Sequence, residues 1–258
     1  MAAGGAIVFF HAHPDDEAIF TGGTIARLSA DGHRTVVVVA TSGELGLLDA
    51  VHPGTSQNPL GAVREQETIM ASAILGASRV EFLGYSDSGL AAMGEERPDG
   101  AFAEADIDEA ADRLATILRD ETASALVIYD DGGIYRHPDH VAVHHVGLAA
   151  AALAGVESVY EATVDREYLH FVETHLVGHA LESLSEPGPV GVPTVLLSNT
   201  VDVRAVIAEK RAAISAHASQ IPANADVMTM DDTTFAAVYG YEWYVRRGPA
   251  GVIDAISM

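Results

Sequence analysis

The stretch Ala6-Ile7-Val8-Phe9-Phe10-His11-Ala12-His13-Pro14-Asp15-Asp16-Glu17 joins an apolar run to a group of histidines and acids. The apolar run predicts a buried strand, and the acids predict the first turn of a helix. Because ligands of open α/β sheets bind beyond the carboxyl ends of the strands, the turn between them is a candidate site. A histidine and a carboxylate there can hold a metal ion, and a neighbouring carboxylate can take a proton from water. An acidic helix cap would explain one aspartate, but not the second aspartate and the two histidines.

A second cluster, Gly132-Gly133-Ile134-Tyr135-Arg136-His137-Pro138-Asp139-His140, follows another strand-like run at residues 125–129. Pro138 suits the first turn of a helix, where its missing N–H costs nothing, so His137 and His140 lie at the mouth of that helix. Together the two clusters could supply His, Asp and His to one metal ion and leave a position open for water, as in catalytic zinc sites. His144 offers an alternative, since histidines four apart on one helix can also share a metal. We favour the helix mouth because His144 lies one turn further from the strand ends.

The composition narrows the classes of function. The 258 residues include 37 acidic and 14 basic side chains, and the formal charge of −23 argues against nucleic acid or an anionic membrane as a partner. No cysteine is present, so a metal must be held through His, Asp or Glu, which suits zinc but also iron, cobalt, nickel or manganese. No apolar run approaches membrane-spanning length, and residues 1–5 lack the basic region of a secretory signal. We therefore expect a cytoplasmic protein.

Strand-like and helix-like segments alternate along most of the chain, which predicts an α/β fold with a Rossmann-like, largely parallel sheet and helices on both faces. The predicted strands cover residues 6–10, 34–40, 79–83, 124–129, 156–164 and 194–198, and the predicted helices cover about 17–31, 61–76, 104–121, 138–153 and 202–218. Residues 42–60 and 84–103 predict loops, and residues 166–184 have mixed helical character. We expect one domain over residues 1–258, with a core at roughly 6–165 and a C-terminal elaboration at roughly 166–258. A dinucleotide-binding domain is disfavoured, because no G-x-G-x-x-G follows the first strand.

The two clusters resemble the motifs of a known family, the LmbE-like or PIG-L-type N-acetylglucosaminyl deacetylases. The first family motif is similar to His13–Glu17 and the second to His137–His140. Four further segments are similar to family segments in the same order: Thr41-Ser42-Gly43-Glu44, Arg64-Glu65-Gln66-Glu67, Leu83-Gly84-Tyr85-Ser86-Asp87-Ser88-Gly89, and Lys210 to Gln220. The resemblance spans most of residues 6–220.

Carried over residue by residue, the resemblance implies that His13, Asp16 and His140 are the metal ligands. It implies that Asp15 is the general base, close to the water that the metal activates. Physical reasoning agrees that the two adjacent aspartates differ in role, because their side chains point in different directions and one metal rarely takes both.

The resemblance also assigns roles around the reacting amide. His137 would stabilise the developing oxyanion as an imidazolium or donate a proton to the leaving amine, and Tyr135 would polarise the carbonyl or deliver a proton. Asp139 would orient a histidine, or serve only as an acid in the first turn of its helix. Arg64 and Asp87 resemble contacts to sugar hydroxyls in the family, although each could form a structural ion pair instead.

The implied activity is that of a metal-dependent amidohydrolase, which removes acetyl from an N-acetylglucosaminyl compound by metal-activated water. Zn²⁺ is the expected metal, with Fe²⁺ or another divalent ion as alternatives. Two other functions remain open: an amidase of the mycothiol-S-conjugate type, acting on a pseudodisaccharide thiol conjugate, and an inactive sugar-binding homologue. The expected partner is a small N-acetylglucosaminyl molecule, and a homo-oligomer is left open. The sequence assigns no aglycone, and it leaves His11, His144 and His217 without firm roles.

Overall fold

The computed structural model describes residues 4–46, 59–89, 97–175 and 189–258. Within these ranges the strands are β1 (Ile7–His11), β2 (Thr35–Thr41), β3 (Arg79–Tyr85), β4 (Ala125–Tyr129), β5 (Val159–Thr163), β6 (Asn199–Asp202) and β7 (Tyr241–Arg247). They form one sheet in the order β3-β2-β1-β4-β5-β7-β6. The first five strands pair in parallel, and β7 runs antiparallel to both β5 and β6. The sheet is therefore mostly parallel, which confirms the α/β prediction.

The central strands are nearly continuous apolar runs because both faces of the sheet are covered. Every residue of β1, β2 and β4 is buried. A strand exposed on one face would alternate apolar and polar residues, whereas a parallel strand covered on both faces does not. This is why the predicted strands 6–10, 34–40 and 124–129 agree with the structure to within one residue at each end.

The helices of the described residues connect and flank the strands. They are α1 (Asp16–Phe20), α2 (Gly22–Ala30), α3 (Pro59–Ile74), α4 (Ile107–Asp120), α5 (Gly133–Arg136), α6 (Pro138–Ala154), α7 (Arg166–His175), α8 (Ile207–Ala216), α9 (Asp226–Thr229), α10 (Asp232–Tyr239) and α11 (Val252–Ala255). Capping sets one of these boundaries clearly: the Asp106 carboxylate accepts a hydrogen bond of 3.0 Å from the backbone N–H of Glu109 and begins α4. None of the described helices combines the length and apolarity needed to cross a membrane.

The predicted helix at 17–31 is two helices in the structure. The helix is interrupted at Thr21, whose hydroxyl donates a hydrogen bond to the carbonyl oxygen of Glu17. At the start of α2, Gly23 lies against Val203, and an added Cβ would lie only 2.3 Å from the valine Cβ. Glycine is required there by this close approach.

The prediction of a strand at 194–198 was wrong. Residues Thr194–Leu196 form a short 3-10 turn, and the strand begins only at Asn199. The Val195 side chain is 86% exposed, so its β-branched shape, which suggested a strand, contributes nothing to a sheet. The sequence interpretation also missed β7, although its run Tyr-Glu-Trp-Tyr-Val is rich in the aromatic and β-branched residues typical of strands. Parts of the predicted loops and of the 166–184 segment lie outside the described residues.

Candidate active site

The sheet brings the two sequence clusters together. β1 and β4 are neighbours, and the strand order reverses between them, because β2 and β3 lie on one side and β5 on the other. Ligands of such sheets bind in the crevice at this switch point, beyond the carboxyl ends of the strands. The first cluster follows β1 and the second follows β4, so the topology places both at the same crevice.

The three predicted metal ligands meet there. Asp16 Oδ2 lies 3.5 Å from His13 Nδ1 and 3.3 Å from His140 Nε2, and it accepts a hydrogen bond of 2.9 Å from the backbone N–H of His13. All three side chains are buried. Although burial raises it, the pKa of Asp16 is held well below its usual range by His140 and His13. Asp16 is therefore a carboxylate, the form that binds a cation.

The side chains whose ligand atoms lie close enough to share one ion, among the residues that the structure describes, do not include Asp16. Among the described residues, two sets place their ligand atoms within 4.8 Å of one another: His13, His137 and His140, and His13, Asp87, His137 and Asp139. Both sets contain His137, to which the sequence assigned a role at the reacting carbonyl. Nitrogen and oxygen donors of this kind suit a divalent ion such as zinc.

Asp139 holds His13 in place. Its Oδ2 lies 3.1 Å from His13 Nε2 and accepts a hydrogen bond of 2.9 Å from the backbone N–H of Ser88. The Ser88 hydroxyl donates a further short hydrogen bond to Oδ1. A carboxylate bonded to a histidine can fix the direction of its ring, so the contact is compatible with the orienting role, which stays a prediction.

Asp87 lies beside His13. Its Oδ1 is 3.5 Å from His13 Nε2 and accepts a hydrogen bond of 2.8 Å from the backbone N–H of Gly89. Although burial raises it, the pKa of Asp87 is lowered far below its usual value by His13, that backbone hydrogen bond and His137. The predicted contact to a sugar hydroxyl stays a prediction.

His137 and Tyr135 face the same crevice from the second cluster. The His137 ring lies 4.5 Å from that of His13, and the Tyr135 hydroxyl lies 3.2 Å from His140 Nε2. His137 Nδ1 accepts a hydrogen bond of 3.2 Å from the backbone N–H of Asp139, which leaves Nε2 as the protonated nitrogen. Burial, together with the smaller effects of His13 and His140, lowers the pKa of His137 to about 3. The structure thus favours a neutral hydrogen-bond donor over the imidazolium that the sequence suggested.

The turn that carries Tyr135 is strained. Ile134 has φ 64° and Arg136 has φ 69°, the left-handed region that a β-branched residue such as isoleucine rarely adopts. The Asp130 carboxylate accepts a hydrogen bond of 3.0 Å from the backbone N–H of Ile134 and supports this conformation. Strain of this kind, held by surrounding contacts, is common where a catalytic side chain must be aimed.

Asp15 lies beside the metal-ligand candidates in another left-handed turn, with φ 103°. Burial raises the pKa of Asp15 to about 6, against the opposing effect of Arg64. Arg64 Nη2 lies 3.3 Å from Asp15 Oδ2, and its Nη1 donates a hydrogen bond of 2.6 Å to the carbonyl of Gly43. Arg64 therefore contacts the first motif through Asp15. Its role as a sugar contact stays a prediction.

His217 joins the site from the C-terminal part of the chain. Its Nε2 lies 2.6 Å from Glu17 Oε1, and both side chains are fully buried. The other oxygen of Glu17 accepts a hydrogen bond of 3.0 Å from the backbone N–H of Asp15. Apart from the similarity of residues 210–220 to a family segment, no sequence pattern indicated this pairing.

The remaining histidines near the clusters have structural partners. His11 bonds to the Tyr129 hydroxyl at 2.9 Å and to Thr21 Oγ1 at 3.0 Å, and burial lowers the pKa of His11 to about 4. His144 Nδ1 lies 3.0 Å from the carbonyl oxygen of Tyr129 and 3.3 Å from Glu161. His144 thus points away from His13, and the alternative pairing of His140 with His144 does not form.

Comparison with known proteins identifies the family of this chain. The model of the PIG-L family, described as GlcNAc-PI de-N-acetylase, matches residues 8–151. The chain belongs to the PIG-L family. The resemblance inferred from the two motifs is confirmed.

Relatives over nearly the whole chain are named as deacetylases. The 1D-myo-inositol 2-acetamido-2-deoxy-alpha-D-glucopyranoside deacetylase of Rhodococcus jostii is 34% identical in sequence. The alignment covers 96% of this chain and 94% of the relative. The enzyme of the same name from Thermobifida fusca is 31% identical and covers 95% of this chain and 96% of its own. These names agree with the deacetylase activity predicted from the sequence.

Solved structures show the same fold. The N,N'-diacetylchitobiose deacetylase of Pyrococcus horikoshii superposes with a TM-score of 0.62 at 22% identity, covering 94% of this chain and 84% of its own. A 4-carboxy-2-hydroxymuconate hydratase from Pseudomonas putida superposes with a TM-score of 0.65 at 17% identity, covering 96% and 98%. Because a deacetylase and a hydratase share this fold, the side chains of the site must decide the reaction.

Proposed function

We propose that the protein is a metal-dependent N-deacetylase that hydrolyses the acetamide of an N-acetylglucosaminyl compound. The observation that carries the proposal is the meeting of His13, Asp16 and His140 at the switch point, with Asp15 beside them. The full-length similarity to named glucosaminide deacetylases supports the same activity.

The side chains fit a divalent metal ion. The cluster offers imidazole nitrogens and carboxylate oxygens, and among the described residues the ligand atoms of His13, His137 and His140 lie within 4.8 Å of one another. His13, Asp16 and His140 would hold the ion, with Zn²⁺ as our first choice and Fe²⁺ as the alternative. Such a metal polarises the amide carbonyl and makes a water molecule more acidic.

The protein's own groups carry out the proton transfers. Asp15 accepts a proton from the attacking water, a task helped by the raised pKa that burial produces. His137 donates a hydrogen bond from Nε2 to the oxygen that becomes negative in the tetrahedral intermediate. The Tyr135 hydroxyl lies beside His140, one of the proposed metal ligands, and from there it would donate to the same oxygen. The proton held by Asp15 then passes to the leaving amine, and acetate is released.

The first compound to test is the inositol glucosaminide for which the curated relatives are named. The purified protein, loaded with Zn²⁺ or Fe²⁺, should release a primary amine from it or from other N-acetylglucosaminides in a panel. His13→Ala should lose both bound metal and amine release, whereas the matched variant His33→Ala, at an exposed histidine, should keep both. The proposal would be contradicted if His13→Ala released amine at the wild-type rate. It would also be contradicted if the wild-type protein released no amine from any member of the panel. The cytoplasmic location, the single-domain organisation and a homo-oligomer stay predictions.

A further inference from the structure

Glu17 is fully buried at the end of the first motif, and its two carboxylate oxygens bond in different directions. Oε2 accepts a hydrogen bond of 3.0 Å from the backbone N–H of Asp15, and Oε1 lies 2.6 Å from His217 Nε2. His217 is also fully buried. Neither Glu17 nor His217 takes part in the proton transfers proposed for the reaction. Together they form a link from the C-terminal part of the chain to the backbone of the proposed general base.

The backbone of Asp15 has a conformation that needs support. Its φ of 103° lies in the left-handed region, which residues with a Cβ rarely adopt. Such conformations persist where surrounding contacts hold them. The Asp15 N–H is bonded to Glu17, and the Asp15 carbonyl accepts hydrogen bonds of 3.0 Å from the N–H groups of Ala18 and Ile19. Because φ is the rotation about the N–Cα bond, fixing the N–H also fixes the direction in which the Asp15 side chain leaves the backbone.

His217 holds the other end of the Glu17 carboxylate. Although burial lowers it, the pKa of His217 is raised by the charge and the hydrogen bond of Glu17. The imidazolium therefore donates a charge-assisted hydrogen bond, which is stronger than one between neutral groups. Without this donor, Glu17 would be a fully buried carboxylate that has lost its ion-pair partner, and such a group turns towards water or other donors. Its bond to the Asp15 N–H would then be lost.

The position of His217 is itself fixed by two helices. His217 ends α8, and its backbone N–H donates a hydrogen bond of 3.2 Å to the carbonyl of Ile214. Two residues later, Ser219 donates from its N–H at 2.8 Å and from its hydroxyl at 2.6 Å to the buried carboxylate of Glu67 on α3. The segment that carries His217 is therefore anchored to α3 as well as to Glu17. A side chain anchored in this way can set the geometry of a neighbouring group precisely.

We propose that His217 is a positioning residue for the general base: it holds Glu17, and Glu17 holds the backbone of Asp15 in the conformation that directs the Asp15 carboxylate at the attacking water. This inference rests on the proposed function, since it takes Asp15 as the group that accepts the proton. His217 contacts neither substrate nor metal on this account and acts only through Glu17.

The kinetic test compares variants of two buried histidines that each face one carboxylate. His217→Leu should lower kcat at least about tenfold, because a displaced base loses its alignment with the water. KM and bound metal should change less than about twofold, because no contact to substrate or metal is removed. The matched control is His144→Leu, since His144 is 4% exposed and lies 3.3 Å from Glu161. It should lose stability but keep kcat within about threefold of wild type. Equal falls of kcat in the two variants would overturn the inference.

Two further variants separate positioning from a merely structural role. His217→Gln places an amide N–H₂ near the position of Nε2 and should recover most of the kcat that His217→Leu loses. The double variant Glu17→Leu, His217→Leu should have the kcat of Glu17→Leu alone within about twofold, because His217 acts through Glu17. Losses that multiply in the double variant, or a glutamine variant as slow as the leucine variant, would overturn the inference. His217→Asn, whose shorter amide does not reach Glu17, replaces His217→Leu in every comparison if the leucine variant does not fold.

A measurement on the metal-free protein needs no catalysis. Hydrogen exchange of the Asp15 amide, followed by NMR, reports on its bond to Glu17. Relative to the buried amide of Val37 in β2, this exchange should be at least about tenfold faster in His217→Leu than in His144→Leu, and His217→Gln should restore slow exchange. Equal exchange in the two leucine variants would contradict the link. If the wild-type protein hydrolyses no glucosaminide, the proposed function is wrong, and the exchange rates still decide whether His217 holds the turn at Asp15.

Discussion

Lys210 and Glu242 form a buried ion pair between α8 and β7. Replacing Lys210 and replacing Glu242 should lower the free energy of unfolding by different amounts. The Lys210 Nζ to Glu242 Oε1 distance is 2.6 Å, and the two residues are 1% and 2% exposed. The Glu242 carboxylate also accepts hydrogen bonds of 2.8 Å from the N–H groups of Gly23 and Thr24, at the start of α2. In the described structure, the ammonium has Glu242 as its hydrogen-bond partner and the ring of Tyr239 at 5.9 Å.

Breaking a buried pair by removing one partner costs about 3–5 kcal/mol, because an uncompensated charge is left behind. Lys210→Met should lie at the low end, near 3 kcal/mol, since the carboxylate keeps two backbone donors and the positive end of a helix. Glu242→Gln should lie near 5 kcal/mol, since it leaves the ammonium without a carboxylate and turns an amide N–H₂ towards backbone N–H groups. The double variant should lose at least about 2 kcal/mol less than the sum of the single losses.

Urea unfolding of the metal-free protein, followed by circular dichroism, measures these differences. With an m-value of about 3 kcal/mol/M for a chain of this size, a loss of 3 kcal/mol moves the midpoint by about 1 M. Glu109→Gln is the matched control, because its pair with Arg113 is largely exposed and should contribute less than about 1 kcal/mol. Losses from Lys210→Met and Glu242→Gln that are equal, or that simply add in the double variant, would refute the reasoning.

Three further predictions concern catalysis, metal affinity and pH. Asp15→Asn should retain bound metal and lower kcat at least about a hundredfold, the usual scale for a lost general base; metal loss measured by elemental analysis would show instead that Asp15 is a ligand. Asp139→Asn should weaken metal binding by roughly 10–100-fold in a chelator competition, because Asp139 Oδ2 lies 3.1 Å from His13 Nε2; unchanged affinity would leave Asp139 as a helix acid only. Arg34, which has the larger effect, and Arg79 lower the pKa of Glu121 from 4.5 to about 2. A carboxyl whose folded pKa is depressed stabilises the fold above its unfolded pKa and stops doing so as the pH falls through the folded value. The stability difference between wild type and Glu121→Gln should therefore be constant above about pH 5 and shrink between pH 4.5 and 2, and a difference that grows on acidification would be inconsistent with this sign.

The sequence predicted the central strands and both motif clusters because each is a local pattern. A strand covered on both faces shows a run of apolar residues, as in β1 and β2, and the run can be recognised without knowing its neighbours. The family resemblance likewise depends on short motifs, His13–Glu17 and His137–His140, and the comparisons confirm it.

Local patterns were not sufficient where packing decided the outcome. Residues 194–198 have the composition of a strand, yet Val195 is exposed and the segment forms a 3-10 turn. The predicted first helix ends at Thr21, and just beyond it Gly23 packs closely against Val203, about 180 residues away in the chain. The pair Gly22-Gly23 indicates close packing near this point, but it does not indicate which distant residue makes the contact.

The sequence by itself determined which side chains follow each strand, and therefore that histidines and carboxylates lie at strand ends. Only the tertiary structure decided which of these groups meet. The order of the strands places β1 beside β4, and so brings Asp16 to His140. Packing of the C-terminal helices brings His217 to Glu17 across 200 positions. The physical reason is that hydrogen bonds and apolar contacts depend on distances in space, and those distances arise only when the sheet and its helices pack together.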